Sequence, residues 1–135
     1  MGEGSVERVP IRPALEGDAR HIARILRGTG WFARMATETP AETELLVDRL
    51  LRECLTDDDH SVHVAEVPNG EVVGYASVHW LPTLFLAGPE GYLSELFVEE
   101  AHRGKGIGRD LLGAVVGEAR ARACSLVSLR RAAIR

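Results

Sequence analysis

Apolar and polar positions repeat with two different periods along this chain, and each change of period marks an element. From Ser61 to Val67 the repeat is two residues, with Val62, Val64 and Val67 on the inward side of a strand. Pro68-Asn69-Gly70-Glu71 is a hairpin signal, so Val72 to Leu81 is the returning strand. Gly74 within it predicts a bulge or a close backbone approach. Tyr92 to Val98 is a further strand. Upstream the repeat is helical. Asp18 caps a helix from about Ala19 to Arg27, with Ile22, Ile25 and Leu26 on its apolar side and Gly28-Thr29-Gly30 ending it. Thr39-Pro40-Ala41-Glu42 is a capping box with proline at the first helical position. The helix it opens runs to about Leu55, with Leu46, Leu50 and Cys54 in one row and Leu51 beside it. A third helix, from Arg109 to about Ala123, follows a stripe of Ile107, Leu111, Leu112, Val115, Val116 and Ala119. Val6–Arg12 and Ser125–Arg130 are the first and last strands, with Pro10 placing the first at an edge or ending it early.

The order is strand, helix, helix, three strands, helix, strand, without repeats or linkers, which predicts one domain over residues 1–135. The connection Pro82–Glu90 carries Leu84, Phe85 and Leu86 and is too apolar for an ordinary loop. It is expected to pack on a ligand, a partner or the protein body.

Composition mostly removes options. The chain has 135 residues, 45% hydrophobic and 27% charged, as globular proteins do. A net charge of −4 gives no nucleic-acid footprint. No apolar run reaches membrane-spanning length, and Met1–Ser5 lacks the character of a signal peptide, so a cytoplasmic location is the default expectation. Cys54 and Cys124 lack metal-ligand spacing, and no metal is expected. The acidic run Asp57-Asp58-Asp59 is read as a solvated loop.

The chemistry concentrates in Arg103-Gly104-Lys105-Gly106-Ile107-Gly108, between a strand and a helix. Three alternating glycines let a ligand approach the backbone, and the helix start offers unpaired N–H groups and the positive dipole end. That is a cradle for phosphate or pyrophosphate. A Walker loop would need a hydroxyl after Lys105, where Gly106 stands. Dinucleotide and kinase glycine loops would need glycine where Arg109 stands. The pattern Arg-x-x-Gly-x-Gly, formed by Arg103, Gly106 and Gly108, resembles the acetyl-CoA pyrophosphate loop of the GNAT acetyltransferase superfamily. The element order and the segment His79–Val98 are similar to that family as well, so the resemblance covers nearly the whole chain.

The resemblance implies an α/β fold with a mixed, mostly antiparallel central sheet flanked by helices. Against the family pattern it is shortened after Ser125–Arg130, because only Arg131–Arg135 remain where a helix and a strand pair are usual. It implies an N-acetyltransferase that passes an acetyl group from acetyl-CoA to an amine by direct attack. Arg103, Gly104, Lys105, Gly106, Ile107 and Gly108 would hold the cosubstrate's pyrophosphate. Leu96, Phe97 and Val98 would offer main-chain groups to the pantetheine arm and the thioester oxygen. Glu95 is the leading candidate for the base, and His79, with an ordinary pKa near 6.5, is the second. Trp80 and Phe85 are candidates for an acceptor pocket. The family's thiol-protonating tyrosine has no counterpart, since Tyr75 and Tyr92 both precede the loop. An open apolar edge at Ser125–Arg130 would favour a homodimer, with Arg130, Arg131 and Arg135 opposing it. Two other readings stand beside this one: a non-catalytic CoA-binding or dimerising relic of the fold, and a nucleotide-binding module.

Overall fold

The computed structural model describes residues 8–130. Five strands form one sheet in sequence order: β1 (Ile11–Pro13), β2 (His60–Glu66), β3 (Val72–Leu81), β4 (Glu90–Val98) and β5 (Leu126–Leu129). The first four pair antiparallel, and β5 runs parallel to β4. The helices are α1 (Ala19–Thr29), α2 (Ala33–Ala36), α3 (Pro40–Thr56) and α4 (Ile107–Ala121). This is the mixed α/β arrangement expected from the sequence, with α2 added. Of the first predicted strand only Ile11 and Arg12 pair, joined by Pro13, while Val6 and Glu7 lie outside the described residues. So do Arg131 and Arg135.

Each face of the sheet has its own core. Val62 and Val64 of β2 with Tyr75 and Phe97 pack against Ile22 and Ile25 of α1 and Val47 and Leu51 of α3. On the opposite face Ala76, Val78 and Trp80 of β3 and Leu93, Leu96 and Val98 of β4 meet Ile107, Leu111, Val115 and Ala119 of α4. Val67 was expected beside Val62 and Val64, but the two-residue alternation of the chain puts it with Ala65 on the α4 side. Gly74 is a close approach: a Cβ there would lie 3.2 Å from the Phe97 carbonyl oxygen and 3.3 Å from Leu111 of α4.

Local signals act as the sequence suggests, with one exception. Thr39 Oγ1 accepts from the Glu42 amide at 3.1 Å and Glu42 Oε1 accepts from the Thr39 amide at 2.8 Å, which closes the capping box of α3. Gly30, at φ 69°, ends α1. Asp18 does not cap α1 through its side chain. Its carboxylate accepts two bonds from Arg12 and one from the Leu15 amide, at 2.7–2.9 Å. Burial alone would raise its pKa, but these bonds outweigh it and hold the carboxyl below its usual range.

Candidate active site

The site forms around β4, whose regular alternation breaks once. Ser77 of β3 pairs with Glu95, but Val78 pairs with Leu93, so Ser94 is an extra residue on β4. The bulge inverts the side-chain parity on either side of it. Leu93 faces α4, whereas Glu95 and Phe97 face α1 and α3. With uninterrupted alternation Leu93 and Glu95 would share a face. The bulge is fastened: Ser94 Oγ donates to the Ser77 carbonyl at 3.3 Å and lies 3.0 Å from His79 Nε2.

On the α1/α3 side Glu95 lines a cleft of about 110 Å³. Tyr75 Oη donates to Glu95 Oε1 at 2.6 Å, across the β3–β4 ladder. Burial, and then the neighbouring carboxylate, holds that hydroxyl protonated with a pKa well above its usual range. Tyr75 therefore acts as a fixed donor that orients Glu95. The walls are Ile22 and Leu26 of α1 and Leu50 and Cys54 of α3. The row Leu46, Leu50 and Cys54, expected as the apolar stripe of α3, is only partly sunk, because the residues that turn to the core are Thr43, Val47 and Leu51. Leu50 and Cys54 are left to line the cleft. Next to Glu95 on β4, Phe97 carries the rings of Trp31 and Phe32 at centroid distances of 5.9 and 6.2 Å.

His79 lies on the same face but does not line this cleft. Its ring packs on His60 at 3.9 Å and on Tyr92 at 5.9 Å. Burial, and then the adjacent His60, lowers its pKa below the ordinary value, so it is neutral at pH 7. Trp80 sits on the opposite face, its Nε1 donating to Ser61 Oγ at 2.9 Å, with the Arg122 guanidinium 4.8 Å from its ring centroid. It is part of the α4-side core and not of the Glu95 cleft. Phe85 and Leu84 stand exposed at the tip of the 82–89 loop, away from both. The base of that loop is held at Gly88, where any Cβ would collide with the Ala123 carbonyl.

Beyond β4 the chain makes one 3₁₀ turn at Glu100–His102 and enters the glycine loop. Gly104 and Gly106 take left-handed φ values of 80° and 85°, and a Cβ on either would meet nothing within 4 Å. Gly106 accepts the first helical bond of α4, from the Asp110 amide at 3.0 Å. The amides of that first turn have no acceptor in the helix's own ladder. Gly108 is already helical and lies near Val98. The loop borders two clefts. One, of about 190 Å³, runs to Leu96 and Val98, and the other, of about 750 Å³, is bordered by Arg8, His102, Lys105 and Arg109. Arg103 turns inward, its Nε donating to the Val98 carbonyl at 2.9 Å, which ties the loop to the end of β4. β5 pairs only with Glu90–Leu93, so among the described residues Ser94–Val98 have no strand on that side. The bulge, the open strand edge and the loop therefore follow one another along β4.

The sequence pattern of the acetyltransferase (GNAT) family matches residues 29–135. The chain belongs to that family. Solved structures agree with it. A transcriptional regulator from Bacillus halodurans C-125 superposes with a TM-score of 0.79 at 26% identity, over 91% of this chain and 81% of its own. Glucosamine-6-phosphate N-acetyltransferase from Arabidopsis thaliana gives 0.74 at 23%, over 92% and 82%. Ribosomal-protein-alanine N-acetyltransferase from Brucella melitensis biovar Abortus 2308 gives 0.71 at 23%, over 91% and 79%. A comparison with curated proteins found no match. As a GNAT member the protein is an acyltransferase. Among the described residues no helix is long and apolar enough to cross a membrane.

Proposed function

We propose that the protein transfers the acetyl group of acetyl-CoA to an amine by direct attack. The observation that carries this reading is the order along β4: a carboxylate in a cleft, an open strand edge, then a glycine cradle at a helix N-terminus. The cradle suits the pyrophosphate, since the space beside Gly104 and Gly106 is open, the first turn of α4 offers unpaired amides, and Lys105 and Arg109 border it, with Asp110 paired to Arg8. The main chain of Leu96, Phe97 and Val98 receives the pantetheine arm as an added strand, and an N–H there faces the thioester oxygen as negative charge develops on it. Arg103 contributes by fixing the loop to Val98, and Lys105 by its charge.

Glu95, held by Tyr75, takes a proton from the ammonium of the acceptor, directly or through one water. The N–C bond then forms as the C–S bond breaks. The second proton, released as the amide forms, neutralises the departing thiolate through solvent. His79 has its Nε2 engaged with Ser94 and positions the bulge. Holding both substrates in line supplies much of the acceleration. Strand-to-strand association at β5, where Leu126 and Leu129 are exposed, belongs to the same proposal, and light scattering over a dilution series decides it.

The test is a thermal-shift series with acetyl-CoA, CoA, ATP and NAD, followed by thiol release from acetyl-CoA in the presence of amines. Stabilisation by acetyl-CoA with amine-dependent thiol release is expected. Binding without turnover would mean a CoA-binding protein that does no chemistry, and preference for ATP or NAD would contradict the assignment.

A further inference from the structure

We propose that the Glu95 cleft takes a primary monoamine with an uncharged aliphatic body, and discriminates against amines carrying a second ammonium, a phosphate or a carboxylate. This rests on the acetyl-transfer reading and adds the substrate class to it.

The argument is a balance of charge in the cleft. Glu95 is the one charged side chain that lines it among the described residues. One carboxylate is a partner for one ammonium. A second ammonium among Ile22, Leu26 and Leu50 would lose its water and gain no partner. A phosphate or carboxylate would need a cation, and the walls hold none. The nearby Arg27 lines the adjoining cleft and not this one, and its Nη1 donates to the carbonyls of Met35 and Glu38 and to Thr43 Oγ1 at 2.9–3.1 Å. Cys54 is a neutral wall, because burial, reinforced by the charge of Glu95, pushes its thiol up.

Leu26 also lines a second cleft of about 150 Å³, together with Arg27, Phe32 and Met35. The aliphatic body is therefore expected to stay among Ile22, Leu26 and Leu50, since the second cleft carries the Arg27 guanidinium. Leu50, 42% exposed, stands at the mouth and gives an entry that is apolar as well.

Matched pairs of amines test this on the unaltered protein with saturating acetyl-CoA. Butylamine is set against putrescine, isoamylamine against leucine, and ethylamine against phosphoethanolamine. We expect kcat/KM to rise about fourfold per methylene from ethylamine to butylamine. Each charged partner should fall at least about tenfold below its neutral match. Leu50→Glu places a second carboxylate at the mouth and should narrow the butylamine–putrescine gap. If that variant does not fold, the matched pairs decide alone. Charged amines that equal or exceed their matches would overturn the inference and leave acetyl transfer standing. Failure of every amine to release thiol, with acetyl-CoA bound, would overturn both.

Discussion

The glycine-loop region and the Glu95 cleft, both beside β4, are built from different materials. The glycine-loop region is made largely of backbone: two left-handed glycines, the first turn of α4 and the Ser94–Val98 edge, which no described strand pairs on that side, with Lys105 and Arg109 at the rim. The Glu95 cleft is made of side chains from α1, α3 and three strands, drawn from positions 22 to 95. A backbone site is specified by local spacing and fails when a glycine is replaced. A side-chain site is specified by tertiary register and fails when one group loses its orientation. The first suits the part of a substrate shared across a family, the second the part that varies.

Breaking the side-chain cleft should have the larger consequence for the chemical step. Glu95→Gln keeps the shape and removes the proposed base, so kcat should fall by about 10²–10⁴. A rate and pH profile like the parent's would remove Glu95 from the base role and send the same assay to His79. Tyr75→Phe loses the donor to the carboxylate and should lower kcat by about 10- to 150-fold, since a hydrogen bond to a charged group is worth roughly 1.5–3 kcal/mol. An unchanged rate would show that Glu95 keeps its orientation without Tyr75.

A third change probes the α4 side, away from both clefts. Glu118 accepts from Ser61 Oγ at 2.6 Å and Arg122 Nε at 2.9 Å, and lies 2.9 Å from His63 Nε2. Burial pushes its carboxyl up, but those bonds together outweigh it and hold the pKa below the ordinary 4.5. A depressed folded pKa gives stability that is present above about 4.5 and lost as pH falls through the folded value. Glu118→Gln should therefore lower stability by about 1–3 kcal/mol at pH 7 and by less below pH 4. Denaturant unfolding at the two pH values measures this, and an equal loss at both would contradict the linkage. His79→Ala should have the smallest effect, less than about tenfold on kcat, through the position of Ser94 alone. A larger loss accompanied by a changed pH profile would make His79 a proton carrier.

The same contrast explains what was legible in the sequence. The Arg103–Gly108 pattern shows the loop because positive φ and the absence of Cβ are written as glycine at fixed offsets. The hairpin at Asn69-Gly70 and the capping box at Thr39–Glu42 are legible for the same local reason. Glu95 was found as a residue type, but its face was not, because Ser94 looks like any strand serine and the bulge is set by pairing with Ser77 and Val78. The Tyr75–Glu95 bond joins residues twenty apart and depends on that register. Asp18 resembles a helix cap, yet Arg12 claims it from a neighbouring strand. Trp80 and Phe85 resemble pocket aromatics, but one is core on the opposite face and the other stands in the open. The four residues of α2 carry too short a pattern to show a period.

The separateness of the two clefts is tested most directly by calorimetric titration of acetyl-CoA into the parent protein, Gly106→Val and Glu95→Gln. Valine at φ 85° is strained and puts a branched side chain into the cradle. The account predicts that Gly106→Val weakens binding by at least about tenfold, roughly 1.4 kcal/mol or more, because the added side chain takes the space the phosphate needs. It predicts that Glu95→Gln binds acetyl-CoA within about twofold of the parent, because in the proposed mode the cosubstrate is held by the backbone of Leu96–Val98 and the loop and not by the Glu95 side chain, which faces α1 and α3. Equal weakening by both variants, or a folded Gly106→Val that binds as the parent does, would contradict it.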